Sequence, residues 1–326
     1  MRFSYTAAAL AALTGQAAAH ARVYALWSDG AEIQVDGKSG LESFIRSPPN
    51  NNPVKDITSK DIVCNADPSA KTGFAPVEAG KSVVFEWYHN TRGDDIIDGS
   101  HKGPLNTYIA EYTEGDGTGA IWTKIAEEKY ANGKWPVDTL IANKGKSGEV
   151  TIPASLKPGK YLLRHEIIAL HESDTTYNTN SARGAQFYPS CVQIEVSGSG
   201  SDVPLENFDF QTGYKYTDSG IHFNLYNDDA SSYKAPGPEV WTGGAGSGSG
   251  SGSTPATTSA APAATSKAAV SSAAAAPTTL ATQVSSAAPA TSAPAATSAP
   301  AATPSKAPST GCKRRRAARK ARRSAH

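Results

Sequence analysis

The region from His20 to about Trp241 predicts an all-β fold, an antiparallel immunoglobulin/fibronectin-like β-sandwich with long loops, followed by a disordered tail. Two observations carry that prediction. Short segments rich in β-branched and aromatic residues recur with alternating polarity. Between them stand turn signals, and long amphipathic helical stretches are scarce.

The chain opens as a secretory signal. Arg2 supplies a small positive region, Phe3 to Leu13 is a short, mostly apolar run, and small residues end in Ala17-Ala18-Ala19. The apolar run is too short for a transmembrane segment. Cleavage after Ala19 makes His20 the first residue, with residues 1–19 as the signal peptide; the pattern around Ala19-His20-Ala21 also fits a cut that discards the histidine. An exported chain is secreted and extracellular, in surroundings where disulfides persist.

Within residues 20–242, the segments Ser82–Tyr88, Thr107–Tyr112, Glu149–Ile152, Lys160–Leu170 and Cys191–Val196 read as strands. Gly115-Asp116-Gly117, Asn132-Gly133 and Lys157-Pro158-Gly159 read as turns between them. Composition changes sharply after Trp241. Residues 243–311 form a Gly/Ser run and then an Ala/Pro/Ser/Thr-rich linker, with too little apolar surface to offset the entropy of ordering. Such a segment reads as an O-glycosylated stalk. Residues 312–326 form a basic tail.

The formal net charge of +1 hides an asymmetry. Lys313 to Arg323 is strongly basic and without acids, whereas every acidic residue lies before residue 240. The globular region is therefore acidic, about 10 charges below neutral, which argues against nucleic acid as its partner. Of the three cysteines, Cys64 and Cys191 stand beside strand-like segments and form a natural pair. Cys312 in the tail is left as a free or intermolecular thiol.

No H-E-x-x-H zinc motif and no G-x-S-x-G nucleophile elbow is present. His165 and His171 are six residues apart, the wrong spacing for one helical face, and two paired cysteines leave no Cys-rich zinc site. An N-terminal histidine has a distinct chemistry, because its α-amine and ring Nδ1 chelate a metal together. One further imidazole completes a planar three-nitrogen site of the kind that suits copper. His20 alone does not name that second imidazole.

Five motifs do. Asp61-Ile62-Val63-Cys64-Asn65; Ser100-His101-Lys102-Gly103-Pro104 with Tyr108-Ile109-Ala110; Arg164 through His171; Gly184-Ala185-Gln186-Phe187-Tyr188-Pro189-Ser190-Cys191; and Ser232 through Pro238 occur in this order. Together they resemble the fungal lytic polysaccharide monooxygenases of auxiliary activity family 9 (formerly glycoside hydrolase family 61), and they span the globular region but not the tail.

The resemblance implies a copper-dependent polysaccharide monooxygenase or peroxygenase holding one copper ion per chain. His20 and His101 would be the nitrogen ligands and Tyr188 the axial oxygen. His171 and Gln186 would orient the oxygen co-substrate, and Cys64–Cys191 would be the disulfide. The expected partners are cellulose or a related β-1,4-glucan, cleaved oxidatively at C1 and/or C4, an external electron donor, and O2 or hydrogen peroxide, acting on a monomeric enzyme. Favouring His20 as a ligand also favours cleavage after Ala19. Sugar faces stack on aromatic rings, so Tyr24, Trp27 and Tyr233 are the expected substrate-binding residues, Tyr233 by resemblance. The loop from Glu172 to Ala185 looks longer than is usual in the family.

Taken residue by residue, blander readings stand beside these. His101 can be a turn residue, His171 and Gln186 satisfied polar groups of the core, and Tyr188 an ordinary strand tyrosine. His165 reads as structural, and Tyr24 and Trp27 equally as core. Two other function classes remain alongside the enzyme: a secreted or cell-surface copper-binding protein without a polysaccharide substrate, and a non-catalytic sugar-binding module.

Overall fold

The computed structural model describes residues 20–244. The expected signal peptide, linker, basic tail and Cys312 lie outside the described residues, apart from the first two linker positions.

Ten strands build two sheets: β1 (Arg22–Ser28), β2 (Ala31–Glu32), β3 (Ile45–Arg46), β4 (Ala75–Glu78), β5 (Ser82–Tyr88), β6 (Leu105–Glu111), β7 (Thr123–Glu128), β8 (Val150–Thr151), β9 (Gly159–Ala169) and β10 (Gln186–Ser197). The smaller sheet has the order β2-β1-β5-β8, and the larger runs β3-β10-β9-β6-β7 with β4 on β10. All pairings are antiparallel except β4–β10, which runs parallel from Ile194↔Ala75 to Ser197↔Glu78. The β-sandwich expected from the sequence is thus present, with that single parallel edge added. All five segments read as strands contain or overlap an observed strand.

The sandwich interior is filled from both sheets: Leu26, Phe85 and Trp87 from one face Leu163, Ile167, Val192 and Ile194 from the other. A second apolar cluster lies beyond the sandwich, where Tyr108, Leu162, Ile168 and Phe187 pack with Trp122, Trp135, Phe210, Tyr214 and Tyr233. The larger sheet is therefore covered on both faces. This explains why β9 and β10 are buried almost continuously instead of alternating between core and solvent.

The charged groups that enter that second layer are paired. Arg164 lies fully buried, donates to the carbonyls of Val63 and Ile62 and pairs with Glu166 at 2.7 Å. Glu166 also accepts from the Tyr214 hydroxyl. Burial pushes the Tyr214 and Tyr108 phenols well above their ordinary range, so both stay neutral donors. On the opposite face of β9, His165 stacks on Phe85 at 4.1 Å and takes a hydrogen bond at Nδ1 from Trp87 Nε1 at 3.2 Å. Burial holds its imidazole down at about 3, so it packs as a neutral ring.

Cys64 and Cys191 are joined as a disulfide, with Cα atoms 5.3 Å apart. It ties the helical turn Asp61–Cys64 to β10, in the second apolar cluster. At the domain's end, Trp241 is buried and its backbone N–H donates to Lys124 O at 2.8 Å. Among the described residues no helix is long and apolar enough to cross a membrane.

Candidate metal centre

The site forms where several strand ends meet. His20 directly precedes Ala21 and β1, whose first pair is Arg22↔Tyr88 at the end of β5. His101 stands just before β6, which pairs with β9 from Leu105↔Ile167. Leu170 N donates to Lys102 O at 2.9 Å, so the approach to β6 lies against the end of β9, where His171 follows. Gly103 makes that approach possible: a Cβ there would lie 1.8 Å from Ile168 O. Gln186, paired with Ala169, opens β10, and Tyr188 is two residues on, on the same face of the strand.

Register thus collects residues far apart in sequence. The ring centroids of His20 and His101 are 6.5 Å apart, and Tyr188 is 6.1 Å from each. His101 and His171 are in contact at 4.1 Å. The Tyr188 hydroxyl donates to Gln186 Oε1 at 2.6 Å, and Gln186 Nε2 lies 3.2 Å from His171 Nε2. His20 and the four residues expected from the motifs are brought together.

Two features make this set fit a metal. His101 Nε2 is buried without a hydrogen-bond partner, a costly state for a polar atom unless something else meets it. A metal–imidazole bond of about 2 Å, plus the ring radius of about 1.1 Å, puts two imidazoles on opposite sides of one ion with centroids about 6.3 Å apart. The observed spacing matches. Burial also lowers the basicity of all three histidines, His101 to about 4 and His20 and His171 in the same direction, with neighbouring imidazoles adding to the shift at His20 and His101. Neutral rings are the form that binds metal. Tyr188 is driven the other way, well above the usual phenol range, first by burial and then by Glu172, so it presents a neutral hydroxyl.

Comparison with known proteins decides what such a set belongs to. The family model described as "Auxiliary Activity family 9 (formerly GH61)" matches residues 20–233, beginning at His20. The chain belongs to this family. It is therefore a copper-dependent polysaccharide monooxygenase. It is 50% identical over 246 residues to an AA9 family lytic polysaccharide monooxygenase A of Collariella virescens, covering 74% of this chain and 88% of that protein. An Aspergillus clavatus protein of the same name is 45% identical over 79% of this chain and 70% of its own. Among solved structures, one titled CvAA9A superposes with a TM-score of 0.64 at 50% identity, over 68% of this chain and 98% of that one. A cellulose-active polysaccharide monooxygenase from M. thermophila gives 0.54 at 27% identity, over 68% and 99%.

Of the three aromatics expected to bind substrate, Tyr233 is buried and Trp27 is engaged by other side chains, while Tyr24 stays partly exposed. Tyr233 is 5% exposed, donates its hydroxyl to Gly220 O at 2.8 Å and packs edge-on against Trp135 and Phe223. The second apolar cluster claims it, a layer its local sequence does not reveal. Trp27 lies five residues along β1 from Arg22, about 17 Å at the usual strand rise. The Lys146 ammonium sits 3.3 Å over its ring, and its indole N–H donates to Glu86 at 2.6 Å. Nearness in sequence is not nearness in space along an extended strand. Tyr24 is partly buried, edge-on to Tyr88, with the Arg92 guanidinium 4.5 Å over its ring.

The exposed aromatic that the sequence reading missed is Tyr226, 72% exposed. Its segment is tied to the loop that leaves His171: Phe223 N donates to Ser173 O at 3.0 Å, and Ser173 Oγ donates to Phe223 O at 2.6 Å. The turn chemistry around it, Asn224-Leu225-Tyr226-Asn227, was the available signal.

Among the described residues one other group, His89, Asp94 and Asp95, has metal-like spacing. The Asp94 carboxylate already accepts the backbone N–H groups of His89, Asn90, Thr91 and Ile96, so it acts as a loop staple.

Proposed function

We propose that this protein is a secreted enzyme that cleaves cellulose or a related β-1,4-glucan at C1 and/or C4, with one copper ion held by His20 and His101. The observation that carries the reading is the buried, unpartnered His101 Nε2 in a ring whose centroid lies 6.5 Å from that of a second imidazole, His20. His20 contributes ring Nδ1 and, once residues 1–19 are removed, its amine. Start of the family match at residue 20 supports cleavage after Ala19 over cleavage after Ala21. Copper bound there supplies one-electron redox chemistry, which lets O2 or hydrogen peroxide oxidise a sugar C–H bond.

The chain's own residues do the remainder. Tyr188 would offer a neutral hydroxyl oxygen to the metal, its proton engaged by Gln186. His171 and Gln186 orient the oxygen co-substrate, and the buried strand ends beneath them keep bulk water from one side of the site. Tyr226 offers its exposed ring to a sugar face beside the loop that begins at His171. Cellulose is favoured because the similar M. thermophila polysaccharide monooxygenase is cellulose-active. The protein acts as a monomer, the external reductant arriving from solution.

The decisive experiment is mass spectrometry of the secreted N-terminus, followed by product analysis on cellulose with copper, ascorbate and peroxide. Oxidised oligosaccharides from a protein starting at His20 are the expected outcome. A terminus at Arg22, or activity that persists after copper is stripped, overturns the proposal.

A further inference from the structure

Glu172 opens the loop between β9 and β10, directly after His171. Its carboxylate Oε2 accepts from Gln186 Nε2 at 3.2 Å. Its backbone carbonyl accepts from Gly184 N at 3.1 Å, which closes the loop on itself. Gly184 adopts φ +114°, and a Cβ there would meet Tyr177 N at 2.9 Å, so the closure is built into the backbone.

The Gln186 carboxamide has two ends of opposite hydrogen-bonding sense and three polar neighbours. A tyrosine hydroxyl can give or receive, and a histidine nitrogen does either according to its tautomer. An ionised carboxylate only accepts. Glu172 is therefore the neighbour that dictates which end of the amide faces it. Nε2 turns to Glu172, Oε1 turns to Tyr188, and the phenol has to donate. The second amide hydrogen is then directed at His171 Nε2, which places that ring's own proton on Nδ1, a buried atom with no protein partner.

We infer that Glu172 is a positioning residue: it fixes the sense of the Gln186 amide, and through it turns the Tyr188 proton away from the metal side and sets the His171 tautomer. The inference rests on the copper reading for its effect on turnover, but not for the hydrogen-bond sense itself. The loop that Glu172 opens also carries Asp174 and Arg183, which pair with each other. Contact between that loop and a polysaccharide would thus be felt at Gln186 through one carboxylate.

The test compares E172A and E172Q with the wild-type protein, each processed to begin at His20. In the copper-free proteins, nitrogen NMR reads the His171 tautomer with no metal present. The wild type is expected to show the Nδ1–H form and E172A a mixture, with E172Q nearer the wild type because its own amide oxygen still accepts. In the copper-loaded proteins, Cu(II) affinity is expected within about twofold of wild type. The EPR spectrum of E172A should shift, and its peroxide-driven turnover on amorphous cellulose should fall about tenfold, as is usual when an outer partner is removed. Should E172A fail to fold, E172Q carries the comparison through a measurable, smaller tautomer and EPR change. An unaltered tautomer and spectrum in the variants overturns the inference. Should the wild type bind no copper while the tautomer still responds to Glu172, the copper reading fails and the positioning role stands.

Discussion

Tyr188 and Gln186, two residues apart on one face of β10, share a 2.6 Å hydrogen bond in which the phenol donates and the carboxamide oxygen accepts. Both residues are buried, so this bond is protected from water. Tyr188→Phe removes the donor and leaves Gln186 Oε1 unpaired, which costs about 1–3 kcal/mol. The copper-free protein should melt a few degrees lower, and turnover should fall by about tenfold or more. Melting curves and product release against time check both arms. The nitrogen ligands are untouched, so copper affinity should change little.

His101→Ala should separate binding from folding. Its Nε2 has no protein partner, so the substitution breaks no hydrogen bond at that atom. Cu(II) affinity should weaken by more than about 100-fold, beyond the range seen for outer partners. The copper-free fold should lose only the packing of a buried ring, about 2 kcal/mol. Isothermal titration and a denaturant curve measure the two quantities.

Glu166→Gln should do the reverse. It leaves the fully buried Arg164 without its counter-charge, and burial opposes that cation while Glu166 sustains it. Loss of one partner of a buried pair costs about 3–5 kcal/mol. Denaturant unfolding should show that loss, with the copper EPR spectrum unchanged, since Arg164 and Glu166 face the second apolar layer on the other side of β9 from His165.

Stability should also depend on pH through His165. Its folded value, about 3, lies below the ordinary histidine value near 6.5. The unfolded chain therefore takes up a proton that the folded chain refuses. Stability is full above about pH 6.5 and declines as pH falls toward 3, by about 1.4 kcal/mol per pH unit for this one proton. His165→Phe keeps the stack on Phe85 but leaves Trp87 Nε1–H unpaired, costing about 1–3 kcal/mol at pH 7. Its stability curve between pH 6.5 and 4 should be flatter by one proton, which denaturant curves at several pH values resolve.

Substrate binding should follow Tyr226 and not Trp27. Tyr226→Ala removes an exposed ring and should weaken cellulose binding by about threefold to tenfold, the equivalent of roughly 0.7–1.4 kcal/mol. Trp27→Ala should leave the binding isotherm in place and lower the melting temperature instead, because Trp27 is held by Lys146 and Glu86.

The sequence by itself determined the sandwich, most of its longer strands and the disulfide, and it named the five residues that the fold gathers at the proposed metal site. Alternation is a local property, and the motifs around His101, His171, Gln186 and Tyr188 are contiguous, so each could be read where it stands. Tyr233 and Trp27 mark where that reading stopped. Whether an aromatic ring meets solvent depends on what folds over it, and the second apolar layer is assembled from segments as distant as Trp135, Phe223 and Tyr233. The parallel edge formed by β4 depends likewise on a partner more than a hundred residues away. The role of Glu172 needed the structure for a further reason. A hydrogen bond's direction is set by which neighbours can only accept, and only the folded chain puts Glu172, Gln186 and Tyr188 in one line.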